Sequence, residues 1–357
     1  MKILKKTISL DTKPVMSHRD LRKYFEPELR DAEKYLDTLT EQQTADVLDF
    51  WNHYSILESA GWAAYYTART GVFDVRYVPH DLFYAEIDRI LNNPVRAYGL
   101  DDKLLYYSLF PKECQPRLLA AKIAGILYDP EHRVITAQEV RRICEDEGDI
   151  VVKPPIMTCG GTGVMVLHLT ADSKQFEKLI NASHDVIIQS KLRQHPDIAV
   201  FHPQSVNTVR LLTYLRENGE VVVLSSVLRM GAGDMQVDNV GSGGLTCGVR
   251  ADGSLNETGF DNAGYRIAKH PDGVAFAGHK IPCYRKICEM SCELHYHLPQ
   301  FAMLSWDIMV NENSEPIIIE INIGKPSIDF MQLNNGPLFG DYTEEILDRT
   351  YRLEIRR

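Results

Sequence analysis

In the stretch from Leu304 to Ile323, the carboxylates of Asp307 and Glu320 and the amide of Asn322 stand at spacings suited to holding a divalent metal. Asp307 lies in one apolar run and Glu320 and Asn322 in the next, and the polar Asn311 to Pro316 between them reads as a hairpin loop. Pairing Val310 with Ile317 sets Asp307 directly across from Glu320. Asn322 then shares their face, while Ile319, Ile321 and Ile323 point into a core. Facing carboxylates, ~4.5–5.5 Å apart at Cβ, repel one another unless a cation lies between them. Oxygen-only ligands suit a hard ion such as Mg²⁺, which prefers a few carboxylates with phosphate and water to a full protein cage. The alternative is that both acids point to bulk water on an exposed sheet face.

Cations recur at comparable spacings upstream. Val206 to Met230 reads as a hairpin closed by Asn218-Gly219, the dipeptide favoured in type I′ turns. Pairing Glu217 with Glu220 puts Thr208 opposite Arg229 and Arg210 opposite Val227. The two arginines become diagonal neighbours within reach of one bound anion, or else salt-bridged residues of an exposed face. Earlier, the strand Asp149 to Lys153 runs through Pro154-Pro155 into the glycine-rich Thr158 to Gly163, followed by a second strand, Val164 to Leu169. Such a turn lets backbone N–H groups approach an anion without a Cβ in the way, and Lys153 adds a cation at its entrance. It is not the Walker pattern, because no Gly-Lys-Ser/Thr follows and no helix starts there. A second polar glycine-rich loop, Met235 to Cys247, carries Asp238, Asn239, Gly243 and Gly244.

The elements that must position these groups follow from periodicity. Residues 20 to about 100 are helical in pattern except for strand-like Phe73 to Val78, and Asp81 suits the N-cap of a helix over Leu82 to Leu91. Beyond Asn92-Asn93-Pro94 the pattern predicts a helix carrying Lys103 and Leu104 and another around Leu118 to Ile126. Thr136 and Glu139 have capping-box spacing for a third helix. A helix over Ser173 to Ala182 and a strand over Asp185 to Gln189 complete a small α/β unit, which Gln189 to Leu192 links to the remainder.

Composition narrows the class. A net charge of −10 with no long basic run argues against nonspecific nucleic-acid binding. The lysines of MKILKKTISLDTK interrupt its apolar patch, and no later run approaches a membrane span, so a cytoplasmic protein is expected. Seven cysteines fit reduced thiols better than a disulfide framework. Cys283, Cys288 and Cys292, near His279, His295 and His297, invite a zinc reading. Tyr284, Ile287, Cys288, Ser291, Cys292 and His295, however, recur at the spacing of one amphipathic helix packed under Trp306.

The order of parts resembles the ATP-grasp superfamily, and within it the sugar-transfer associated branch linked to polysaccharide-type products, over roughly Asp101 to Gly340. VVKP with GGTGV, QHP, SVNTVR, VDN with GSGG, WDI and EIN fall in that family's order. The resemblance implies an α/β (α+β) fold. That fold has a small lid subdomain, here over 101–190, and a larger antiparallel-sheet core, here over 191–357; the mainly helical N-terminal region over residues 1–100 rests on the helical pattern alone. The resemblance further implies ATP, with Lys103 and Lys153 on its phosphates, Gly160, Gly161, Thr162 and Gly163 as the flap over them, and Gln189, Ser190, Lys191 and Leu192 as the hinge beside adenine. Asp307, Glu320 and Asn322 match metal positions, with Glu320 bridging two Mg²⁺. Arg210, Arg229 and Asn239 resemble residues facing the phosphoryl and acyl groups. Thr162 stands where many relatives have a basic residue, Ser190 where an acidic one is common, and Lys325 is unusual.

The activity so implied is ligation of a small-molecule carboxylate to an amine through an acyl phosphate, the carboxylate being an amino acid, a peptide or a sugar acid. Phosphorylation of a hydroxyl and nucleotide binding without catalysis are the competing readings. No nucleic-acid partner or membrane span is expected, and the oligomeric state is left open.

Overall fold

The computed structural model describes residues 17–354 apart from 56, 58, 157–162, 170–171, 234–242 and 325. Two antiparallel sheets organise it. The smaller contains β1 (Leu118–Ile123), β2 (Ile126–Tyr128), β3 (Asp149–Lys153), β4 (Met165–His168) and β5 (Val186–Ser190), in the order β2-β1-β5-β3-β4. Helices Ala137–Glu147 and Ser173–Asn181 cover it around Val140, Phe176 and Ile188, the first opened by the expected Thr136/Glu139 capping box.

The helix expected around Leu118 to Ile126 is a β-hairpin. Ala124 and Gly125 both adopt positive φ, +51° and +83°, which turns the chain in two residues, and β1 gains β5 as a partner along its buried length. Lys122 is 2% exposed; its ammonium donates to the carbonyls of Leu179 (2.7 Å), Ile180 (3.1 Å) and Ala182 (2.7 Å), capping the helix Ser173–Asn181. Tertiary partners outweigh the helix preference of Leu and Ala here.

The larger sheet is built from β6 (Thr208–Leu215), β7 (Val221–Met230), β8 (Leu245–Val249), β9 (Leu255–Phe260), β10 (Arg266–Ile267), β11 (Met303–Val310) and β12 (Pro316–Asn322). Their order is β10-β9-β8-β7-β6-β11-β12. One face packs Leu211, Leu228 and Trp306 against the helix Tyr284–His295. Cys288 and Cys292 lie on that helix as expected, and both ring nitrogens of its His295 are engaged, by Thr213 Oγ1 at 2.8 Å and the Phe301 carbonyl at 3.1 Å.

The other face packs Leu212 and Val227 against Phe83, Ile87, Ile328 and Met331. The helical N-terminal region therefore lies on the face that also carries Arg210, since Val227 stands directly opposite it. Several local expectations give way there. Residues Phe73 to Val78 form irregular chain with one turn at Val75-Arg76 instead of a strand, because their partners are the rings of Trp51 and Tyr66 and not a sheet edge. Asp81 sits inside a helical run that begins after Pro79 and passes through a π-helical Phe83–Ile87. Lys103 lies in a turn between the 3₁₀ segment Tyr98–Asp101 and the short helix Tyr106–Leu109. No helix among the described residues is long and apolar enough to cross a membrane.

Both long hairpins differ from expectation at their turns and agree at their far ends. In β6–β7 the Arg216 amide donates to the Glu220 carbonyl at 2.8 Å, and Gly219 takes φ +88° while Asn218 does not become left-handed, so the turn has three residues. An irregularity at Leu224 restores the register, pairing Thr208 with Arg229 and Arg210 with Val227. In β11–β12, Val310 pairs with Pro316 and not Ile317; a bulge at Ile319 leaves Asp307 opposite Glu320. Ile319 is consequently only half-buried, and Ile318 takes the core position expected for it.

Candidate active site

Asp307, in the middle of β11, is flanked by Arg210 on β6 and Glu320 on β12. Arg210 grips its carboxylate with two parallel hydrogen bonds, Nε to Oδ1 at 2.7 Å and Nη2 to Oδ2 at 2.6 Å. Arg229 Nη1 adds a third at 2.9 Å and Asn322 Nδ2 a fourth at 3.2 Å, both to Oδ2. Burial alone would raise the carboxyl's pKa, but the two guanidinium groups outweigh it and hold the group at about 2. The two arginines converge, but on a carboxylate of the protein itself and not on a bound anion as their diagonal placement leads one to expect. That carboxylate belongs to Asp307.

Glu320 is compensated separately. Lys103 Nζ lies 2.8 Å from its Oε1, so the repulsion expected between facing carboxylates is relieved from both sides by protein cations. Lys153, at the end of β3, is 7% exposed; burial first, then the neighbouring Lys103 charge, lowers its pKa to about 8 against the opposing pull of Glu320. The Lys103 amide donates to the Pro155 carbonyl at 2.8 Å, which ties its turn to the chain leaving Lys153. The smaller sheet thus places two lysines over the acids of the larger one. Such a cluster attracts an anion, because anion binding would offset the mutual repulsion of Lys103 and Lys153.

Among the described residues, the oxygens suited to a hard cation include Oε2 of Glu320, Oδ1 of Asn322, and Asp307 Oδ1, which accepts from Arg210 Nε.

Of the expected hinge, Gln189 and Ser190 end β5 and Lys191 and Leu192 leave it. The Gln189 amide donates to the Tyr107 hydroxyl, Ser190 Oγ accepts from Arg117 Nε at 3.2 Å, and Lys191 Nζ pairs with Asp149 Oδ2 at 3.1 Å. Gly163 has φ +79°, and Pro154 would lie 3.0 Å from a Cβ there, so that position requires glycine on two counts. Gly160, Gly161, Thr162, Asp238, Asn239 and Lys325 lie outside the described residues.

Sequence reasoning missed the contribution of the N-terminal helices. Ser327, at φ +60°, receives Arg210 Nη1 at 2.9 Å, and its own amide donates to the Tyr84 hydroxyl at 3.1 Å. Asp88, pushed up to about 6 by burial, sits 3.5 Å from where a Gly324 Cβ would stand. The π-helical segment holding Tyr84 has no period-based signature, so the only available signal was the polar Gly324 to Ser327 after Asn322.

A family model described as "Sugar-transfer associated ATP-grasp" matches residues 83–346. No curated protein matches the chain. Among solved structures, the ATP-grasp ligase PsnB complexed with a minimal precursor is 13% identical, aligned over 73% of this chain and 64% of its own, with a TM-score of 0.42. D-cycloserine synthetase DcsG is 13% identical over 73% of each chain, TM-score 0.42. Biotin carboxylase from Campylobacter jejuni is 10% identical over 71% of this chain and 46% of its own, TM-score 0.43. The chain therefore spans less than two thirds of the length of the first and last of these proteins.

Proposed function

Because the chain belongs to the sugar-transfer associated ATP-grasp family, we propose that it is an ATP-dependent carboxylate–amine ligase. It would join a small carboxylate, an amino acid, peptide or sugar acid, to an amine through an acyl phosphate, with release of ADP and phosphate. The observation that carries this reading is the meeting of Lys103, Lys153, Arg210 and Arg229 with Asp307, Glu320 and Asn322 across two sheets.

When bound, ATP with Mg²⁺ supplies the phosphoryl group that activates the carboxylate. Glu320, Asn322 and Asp307 Oδ1 are the donors suited to that ion, and hard oxygens are the set it prefers. Glu320 is the proposed bridge between two ions. Lys103 and Lys153 bind phosphate oxygens, and the stretch Gln189 to Leu192 lines the base. Gly160 to Gly163 form the proposed flap.

Arg210 is clamped in a fork on Asp307 and braced by Ser327, so its task is to fix that carboxylate. Arg229, whose contact with Asp307 runs through Nη1, holds the substrate carboxylate and the charge that develops on it. Asn239 is proposed to assist it. The enzyme's work is then to hold mutually repelling anions together in line.

The test is trapping. Hydroxylamine added with ATP, Mg²⁺ and the correct carboxylate, without amine, is expected to yield a hydroxamate, because an acyl phosphate is open to an external nucleophile. Arg229→Ala should lose this product more than it loses ATP binding, by roughly two to three orders of magnitude in turnover. A stable phosphorylated acceptor without hydroxamate would make the protein a kinase instead.

A further inference from the structure

On the larger sheet, at the far end of β7 from its turn, a second constellation lies outside the proposed active site. His202 and His270, both fully buried, face the carboxylate of Asp272, which is half exposed. His202 follows the short helix Pro196–Ala199, and its carbonyl is held by Gln194 and Asn207. His270 and Asp272 belong to a tight turn in which the Gly273 amide donates to the His270 carbonyl at 2.8 Å. Nδ1 of His202 lies 3.5 Å from Asp272 Oδ2 and Nδ1 of His270 lies 3.4 Å from it, and one ligand atom from each of the three residues lies within 4.8 Å of the other two.

These separations are long for charged hydrogen bonds between imidazolium and carboxylate, which run about 2.7–2.9 Å. Both match the ~3.3–3.5 Å edge of a tetrahedron whose centre lies ~2.0–2.1 Å from N and O ligands, and the two histidines lie close enough to close its face. The tautomer of His270 argues in the same direction. Its Nε2 donates to the Gly231 carbonyl at 2.8 Å and its Nδ1 accepts the Asp272 amide at 3.1 Å, so Nδ1 carries no proton to offer the carboxylate. Two acceptors therefore face each other, a repulsive arrangement that a shared cation relieves. The Gly231 bond is also the outer contact that orients a metal-binding imidazole.

We propose that His202 Nδ1, His270 Nδ1 and Asp272 Oδ2 form a binding site for one zinc-type divalent ion, with water completing its coordination. Two imidazoles and one carboxylate select such a borderline ion over Mg²⁺. Binding exchanges the Asp272 amide contact at Nδ1 for a metal bond. It joins the loop after Pro196–Ala199 to the turn after β10 and fixes Gly231, two residues beyond Arg229. The role is to clamp the strand end that carries that arginine.

The test uses the full chain after chelation, titrated with Zn²⁺ by calorimetry and with Co²⁺ by visible spectroscopy, in excess Mg²⁺ so that the hard-oxygen carboxylates are occupied. One ion per chain is expected, with tetrahedral cobalt bands and no thiolate-to-cobalt charge transfer. Asp272→Asn, a change at a half-exposed side chain, should weaken binding at least ~10-fold. His202→Ala should abolish it, with circular dichroism reporting whether that buried substitution folds. Absence of one-to-one binding by the wild type, a thiolate band, or unchanged affinity in Asp272→Asn would each overturn the proposal. None of these outcomes bears on the ligase reading, because none measures ligation.

Discussion

Arg210 and Asp307 stand directly opposite each other on neighbouring strands and are joined by two parallel hydrogen bonds of 2.7 and 2.6 Å, although 97 residues separate them in the chain. Asp307 is thus both a proposed metal-site oxygen and the anionic anchor of two buried cations, whereas Glu320 opposite it is more exposed and holds one lysine. The two acids should respond differently to substitution.

Asp307→Ala removes the partner of two buried guanidinium groups and should cost about 3–5 kcal/mol of stability. Glu320→Gln keeps an acceptor for Lys103 and should change stability by less than ~1 kcal/mol while lowering turnover by at least ~100-fold. Urea unfolding and ADP release, measured on the same preparations, separate the two. Normal ADP production by Glu320→Gln would remove that residue from the proposed metal site.

The Asp307 carboxyl, held at about 2, lies below its unfolded value of ~3.9. Its contribution to stability is therefore fully present above pH ~4 and is lost as pH falls through 2, an effect on the order of 2 kcal/mol. In a pH series of unfolding curves, the gap between wild type and Asp307→Asn should narrow across that window and stay constant above it.

Lys153 titrates at about 8 in the fold against ~10.4 unfolded. Between those values the unfolded chain binds the extra proton, so without ligand this residue makes stability rise with pH from 8 to 10.4. Nucleotide affinity should move the other way, because the ammonium is the form an anion needs. Calorimetry with MgADP should show binding weakening as pH rises through 8, by at most ~10-fold per unit. Lys153→Met should bind more weakly and without that inflection.

Gly259 tests the support beneath Arg229. A Cβ there would stand 2.3 Å from the Thr246 carbonyl and 3.2 Å from the Phe276 ring, and Thr246 pairs with Arg229 across β7 and β8. Backbone has no rotamer by which to yield, so Gly259→Ala should destabilise the protein by ~1–3 kcal/mol, visible as a lowered Tm.

The amino-acid sequence by itself determined which residues of each hairpin share a face. Asp307 was expected opposite Glu320, and Thr208 opposite Arg229, and both pairs are present even though neither turn has the expected geometry. The reason is burial. A one-residue slip would carry Trp306 and Ile321, or Leu211 and Leu228, out of the core and turn the charged residues into it, so the alternation fixes the register and bulges at Ile319 and Leu224 absorb the mismatch. Strand-to-strand adjacency is a different matter. That β6 lies between β7 and β11, so that Asp307 meets both Arg210 and Arg229, depends on pairing of distant segments that no local pattern specifies. The same holds for Leu118–Ile123, a helix by propensity that becomes a strand because β5 offers it a buried ladder. It holds equally for Tyr84, which reaches Ser327 only because apolar packing lays the N-terminal helices on the face of the sheet that carries the charges.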